Sequence, residues 1–206
     1  MIFDLQEKEH QIATDLIKDG LDHASVTLSS ILKTPIAIKK IDFGFDSLQQ
    51  VESVRPTDDA SSSYYLLRTG LIGELKGVCH LIFTAEEIEK INAACLPEHF
   101  QKSASVEAAA LSEGFLTELD NIVSAAVITQ FSNYLDVDLF GHVPSLHIMP
   151  AGELKDYLQS EAEEFNNVVY FKANFVGEEL DITPDFTWMF QDQFLNKIRE
   201  RSAEGA

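Results

Sequence analysis

Glu118 and Asn121 stand three residues apart, in a stretch whose apolar spacing predicts one long helix over residues 107–135. Residues three apart share a helix face, so a carboxylate and a carboxamide lie side by side. Asn is a poor choice inside a helix, because its side chain competes for nearby backbone groups. Its presence there points to chemistry. A carboxamide can orient a water through its donor and acceptor, and a carboxylate can hold a lysine.

Other constellations are weaker. His10, His23, His80, His99, His142 and His147 are scattered; His142 and His147 straddle a proline and lack a third ligand at useful spacing, so no metal site is expected. His23 reads as a packing or capping residue. No G-x-x-x-x-G-K-[ST] phosphate loop and no G-x-S-x-G elbow is present. The acidic cluster Glu161-Ala162-Glu163-Glu164 reads as an exposed turn. Cys79 and Cys95 suit neither a metal knuckle nor a redox pair. Two free thiols are the simpler reading, with a single disulfide left open.

The element that carries the pair has an earlier counterpart. Sliding residues 15–36 over 118–139, a constant separation of 103 (15 to 118), sets Leu16 on Leu119, Leu28 on Phe131, Ser29 on Ser132 and Leu32 on Leu135. The polar pair alone changes: Asp15 and Lys18 stand where Glu118 and Asn121 stand. Later, Gly73-Glu74 echoes Gly177-Glu178, and 82–90 echoes 189–197, so the order of matches is kept. Each half reads as a long helix, strands and a closing helix.

In the first half, helix is expected over 6–33, with Gly20 as a weak point or a place where another backbone comes close. Thr34-Pro35 ends that helix. A strand follows at 36–45, then a loop at 56–63, then strands 64–70 and 73–83 joined near Gly70–Gly73. Thr84 and Glu87 form a capping box for a helix running to about Leu96. Residues 98–105 connect the halves. The second half adds strands at 145–149, 167–175 and 186–190, an inserted short helix at 151–158, a last helix at 192–201 and a frayed tail at 202–206. Helices bracketing strands predict an α/β (α+β) fold, with two long helices packed on a largely antiparallel sheet. One domain spans 1–206, built from halves at about 6–97 and 105–201.

With 34 acidic against 15 basic residues the formal net charge is −19, which repels a phosphate backbone and an anionic membrane surface. The first ten residues do not form a signal peptide, and no run of about 18 apolar residues exists to span a membrane. The expected location is the cytoplasm.

The stretch LSEGFLTELDNIVSAAVITQFSNYLDVDL resembles the CheC/CheX/FliY family of chemotaxis proteins. That family carries an E-x-x-N signature on a long helix, followed by small residues and an apolar run. Here Glu118-x-x-Asn121 is followed by Ser124, Ala125, Ala126, Phe131, Ser132 and Leu135. The earlier copy, with Gly20, His23-Ala24 and Leu28-Ser29, is similar to the family's first helix.

The resemblance implies a pseudo-two-fold CheC-like fold and a phosphatase for the aspartyl phosphate of a CheY-like response regulator. Asn121 would orient the attacking water and Glu118 would pair with the regulator's lysine. Mg²⁺ would sit on the regulator, with no cofactor on this chain. Two departures accompany it. Asp120 replaces a glycine common before the Asn, and is tolerable if it points away from the phosphate. Asp15 and Lys18 make the first site degenerate, leaving one active site. The alternative is a non-catalytic module that docks a receiver domain or a flagellar switch component. A homodimer is expected by the same analogy.

Overall fold

The computed structural model describes residues 5–45, 62–101, 105–165 and 169–204. Residues 56–61 of the expected loop, 167–168 of an expected strand and 205–206 of the tail lie outside them.

The first long helix, α1 (Glu7–Leu32), opens where Gln6 donates its backbone N–H to Glu9 Oε2 at 2.9 Å. It buries Leu16, Ile17, Leu21, Ala24 and Leu28, the positions that recur at three and four. Strands β1 (Ala37–Phe45), β2 (Ser63–Gly73) and β3 (Gly77–Thr84) follow, then α2 (Ala85–Cys95) and the single turn α3 (Glu98–Gln101). Thr84 and Glu87 cap α2 reciprocally, and Glu87 Oε1 also accepts from Thr183 N–H at 2.6 Å. The second half comprises α4 (Val106–Leu135), β4 (Leu139–Gly141), β5 (Ser145–Pro150), α5 (Leu154–Glu163), β6 (Val169–Val176), β7 (Asp185–Phe190) and α6 (Gln193–Glu204).

The strands form one antiparallel sheet in the order β1-β6-β7-β3-β2-β4, with β5 also paired to β2. Each edge is exchanged between the halves of the sequence: β1 pairs with β6, whereas β4 and β5 pair with β2. Helices α1 and α4 pack on one face over the main core. On the other face α5 covers a smaller apolar cluster around Leu66, Val78, Ile82 and Met189.

The separation of 103 residues has a local structural counterpart. Lys33 (φ 54°) and Asp136 (φ 52°) end α1 and α4 in the same left-handed conformation. Beyond them Thr34 N–H reaches Ser29 O and Val137 N–H reaches Ser132 O. Such a left-handed residue closes a helix by letting the chain turn back on its last carbonyls.

Several expected boundaries move. The β2–β3 turn is at 74–76, because Gly70 continues the strand opposite Val78 while Gly73 bends away at φ 120°. A Cβ on Gly73 would meet Asp138 O at 2.0 Å, so only glycine fits. The inserted helix runs from Leu154 to Glu163 rather than over 151–158, preceded by a 3₁₀ turn at Ala151–Glu153. Glu161 is therefore helical and engaged, not an exposed turn: its Oε2 accepts from Arg68 Nε at 2.8 Å. Burial raises its pKa, but the partners His80 and Arg68 outweigh this and hold it at about 2. His80 is fully buried 3.4 Å from the same oxygen, and burial lowers its own pKa. Burial thus works against charge on the ring, whereas the Arg68 guanidinium is charged throughout. His23, expected to pack or to cap, is exposed. Cys79 and Cys95 are free thiols.

Candidate functional site

Helix α4 is held from three sides. Ser105 caps its N-terminus by accepting from Ala108 N–H at 3.2 Å. Leu116, Leu119, Val123 and Val127 are buried along its length. Near its end Phe131 meets the rings of Phe171, Trp188, Phe190 and Phe194 at centroid distances of 5.8–5.9 Å. The crossing with α1 is close at Gly20, where an added Cβ would lie 3.0 Å from Phe131 Cε1 and 3.1 Å from Val127 Cγ1. What comes close to Gly20 is side chains of α4, not a backbone. Each of these apolar side chains contributes about 1.5–3 kcal/mol of burial. The helix is therefore a stiff platform for whatever it exposes.

It exposes Glu118 and Asn121. Among the described residues neither side chain makes a hydrogen bond or an ion pair, so both remain available to a partner. Asp120, between them in sequence, points the other way. It is 0% exposed, and Thr69 of β2 donates its hydroxyl to Asp120 Oδ2 at 2.7 Å. Asp120 Oδ1 has no partner among the described residues. Burial pushes this carboxyl up to about pH 7, against the opposing pull of the Thr69 hydroxyl. Its charge, after burial itself, raises the pKa of the Cys79 thiol, on the residue that faces Thr69 in β3. The extra carboxylate that would repel a phosphate thus faces the core.

The wall opposite Glu118 and Asn121 comes from a strand interruption. β4 pairs with β2 at Leu71–Gly73, and β5 pairs with it again from Arg68. Between these pairings His142, Val143 and Pro144 face only Thr69 and Gly70, a bulge of one residue. His142 N–H still reaches Gly70 O at 2.8 Å, but Pro144 has no N–H to offer the ladder. The bulge lifts Val143 toward α4. Thr117, Glu118, Asn121, Val143 and Pro144 line a shallow cleft of about 100 Å³. Asn121 also begins a second, larger groove of about 350 Å³ that runs along α4 beneath Phe140.

Asp15 and Lys18, the degenerate counterparts, are exposed on α1 and line neither part of this groove. Asp15 is tied within its helix by Gln11 Nε2 at 2.8 Å. Among the described residues no three His, Cys, Asp or Glu side chains gather as metal ligands would. His147 instead contacts Ser145 Oγ at 3.0 Å and lies tilted against the Tyr157 ring at 5.5 Å. No described helix is long and apolar enough to cross a membrane. Sequence reasoning missed Phe140, Val143 and Pro144; a proline inside an apolar strand pattern was the available sign of the bulge.

No family model and no curated protein matches the chain by sequence. Solved structures do. FliY from Thermotoga maritima aligns at TM-score 0.64 with 15% identity, covering 98% of this chain and 99% of that one. CheX in the CheX–CheY–BeF3–Mg²⁺ complex from Borrelia burgdorferi aligns at 0.54 with 16% identity, over 85% and 97%. FliM from the Helicobacter pylori FliM–SpeE complex aligns at 0.61 with 10% identity, over 96% and 98%. The chain has a CheC/CheX/FliY-type fold: a mixed α/β architecture with an antiparallel sheet.

Proposed function

We propose that this protein hydrolyses the aspartyl phosphate of a CheY-like receiver domain in the cytoplasm. The observation that carries the reading is the exposed, unengaged pair Glu118 and Asn121, one helical turn apart at a shallow cleft on a rigid helix. Asn121 orients a water toward phosphorus through its carboxamide. The water oxygen bonds to phosphorus as the bond to the aspartyl oxygen breaks, releasing inorganic phosphate and a free carboxylate. Glu118 pairs with the receiver's lysine and sets the orientation of docking. The receiver brings its own Mg²⁺; this chain holds no cofactor. Catalysis is then positioning of a nucleophile, without a covalent intermediate on this protein. Asp15 and Lys18 form no second active site, since an ammonium cannot orient water as an amide does.

The CheX–CheY complex among the structural relatives supports a receiver partner. A second reading, docking to a receiver or flagellar switch component without hydrolysis, draws support from FliY and FliM. These align over 98% and 96% of the chain, against 85% for CheX.

The deciding experiment follows phosphate loss from a phosphorylated receiver with time. The wild-type protein accelerates it, and Asn121→Ala slows turnover by about a hundredfold while leaving binding intact. Dephosphorylation by Asn121→Ala at the wild-type rate would remove Asn121 from the mechanism. A tight complex whose phosphate decays no faster than the free receiver's would favour docking.

A further inference from the structure

Val143, in the bulge between β4 and β5, is 89% exposed and Phe140, on β4, is 58% exposed, both large apolar side chains beside the candidate site. Nothing in the folded chain gains from leaving them in water. Val143 is lifted there by the bulge, and it shares a cleft with Glu118 and Asn121. Phe140 overhangs the adjoining groove, which Asn121 also lines.

The first half makes an instructive contrast. β1 also carries one extra residue, Lys39, between its pairings at Ile38 and Lys40. The bulge is thus a feature of both halves, and its side chains differ. Beside the sequence of the degenerate pair it bears Lys39 and Lys40; beside the intact pair it bears Val143 and Pro144. An apolar bulge accompanies the half that keeps the carboxylate and carboxamide.

We infer that Val143 and Phe140 form a specificity rim that packs against apolar side chains flanking the phosphoaspartate of the receiver domain. This rests on the receiver reading above. Charge selects the occupant: among the described residues Glu118 is the sole charged side chain lining the cleft and groove. A free phosphate or nucleic acid finds no cation among the described residues that line it, in a protein of net charge −19. The occupant must bring its own cation to Glu118 and neutral, apolar atoms to Val143 and Phe140. A protein surface with a lysine beside a metal-bound acyl phosphate and an apolar margin meets both demands. Apolar side chains that a partner fully desolvates next to a fixed polar contact act as anchors in protein interfaces.

The test uses the full chain and a panel of CheY-type receiver domains held in the active form with beryllium fluoride and Mg²⁺. Affinity is read by titration calorimetry, and steady-state phosphate release is measured in parallel with the phosphorylated receivers. Val143→Asp and Phe140→Ser each weaken binding about tenfold or more, raising KM with little change in kcat. Val143→Ile restores wild-type affinity. Asn121→Ala, by contrast, lowers kcat and leaves affinity unchanged. Wild-type binding that survives Val143→Asp and Phe140→Ser overturns the rim but leaves the receiver reading standing. A wild-type protein that neither binds nor dephosphorylates any receiver overturns both. Both altered side chains are solvent-facing, so the variants fold; unfolding curves matching the wild type check this.

Discussion

Replacing Asp120 by Asn isolates one buried proton. In the folded protein this carboxyl titrates at about 7, raised by burial and partly opposed by the Thr69 hydroxyl. In the unfolded chain an aspartate titrates near ~3.9. Below about pH 4 both states hold the proton, and the group has no effect on stability. Between about 4 and 7 only the folded state holds it, so unfolding releases a proton and each pH unit favours unfolding by about 1.4 kcal/mol. Above 7 both states are ionised and the loss is complete, at about 4 kcal/mol for a difference of roughly three units. Asn keeps an acceptor for Thr69 and carries no charge. Asp120→Asn should therefore match the wild type near pH 4 and exceed it by up to about 4 kcal/mol at pH 8. Urea unfolding at pH 4, 5, 6, 7 and 8 reads this directly. The difference between variant and wild type cancels the contributions of the other titrating groups. Cys79, whose thiol is also pushed up, ionises only at higher pH. Parallel stability curves across that range would refute the buried, proton-holding Asp120.

Two further outcomes follow from packing and pairing. Glu161→Gln removes the charge that ties α5 to Arg68 and leaves an uncharged amide oxygen as the acceptor. After allowance for solvent screening of a half-buried group, it costs about 1–2 kcal/mol at pH 7 and speeds amide exchange in α5. Because the Glu161 pKa is depressed to about 2, that stabilisation is present above pH 4.5 and fades as pH falls through 2, so wild type and variant should converge in acid. Gly20→Val thrusts a branched side chain into Phe131 and Val127. The loss should be about 2 kcal/mol in urea unfolding, despite valine's better helix propensity; an unchanged midpoint would mean that α1 and α4 separate easily.

What could be read from the sequence was what depends on near neighbours. The periodicity of α1 and α4, the Thr84–Glu87 box and the stop at Thr34-Pro35 are all settled within one or two helical turns. The misplaced features depend on distant partners. Gly70 suggests a turn when read locally, yet it is paired with Val78 and accepts from His142 N–H across the sheet. β4, only three residues long, exists because β2 offers it an edge. The acid run at 161–164 resembles a solvated turn, but Arg68 lies 93 residues earlier in the chain and waits on the sheet. Glu118 and Asn121 could be put on one exposed face by helical phase alone. The inward aim of Asp120 could only be allowed for, because Thr69, its partner, is 51 residues away.

The same platform carries different exposed side-chain pairs in its two halves. A long helix ending in a left-handed residue, followed by a bulged edge strand, recurs at Lys33 with β1 and at Asp136 with β4 and β5. The scaffold is paid for by buried residues, among them Leu16, Leu28, Leu119 and Phe131, none of which touches solvent appreciably. Positions 15, 18, 118 and 121 are exposed, so exchanging their side chains costs the fold little. Among the described residues the acid and the amide on α4 have no internal partner; on α1 the acid is satisfied by Gln11 and the amide position is a lysine. A helix face with unpartnered polar groups beside an exposed apolar bulge is what the proposed docking to a second protein requires. A face whose acid is satisfied internally has no such requirement.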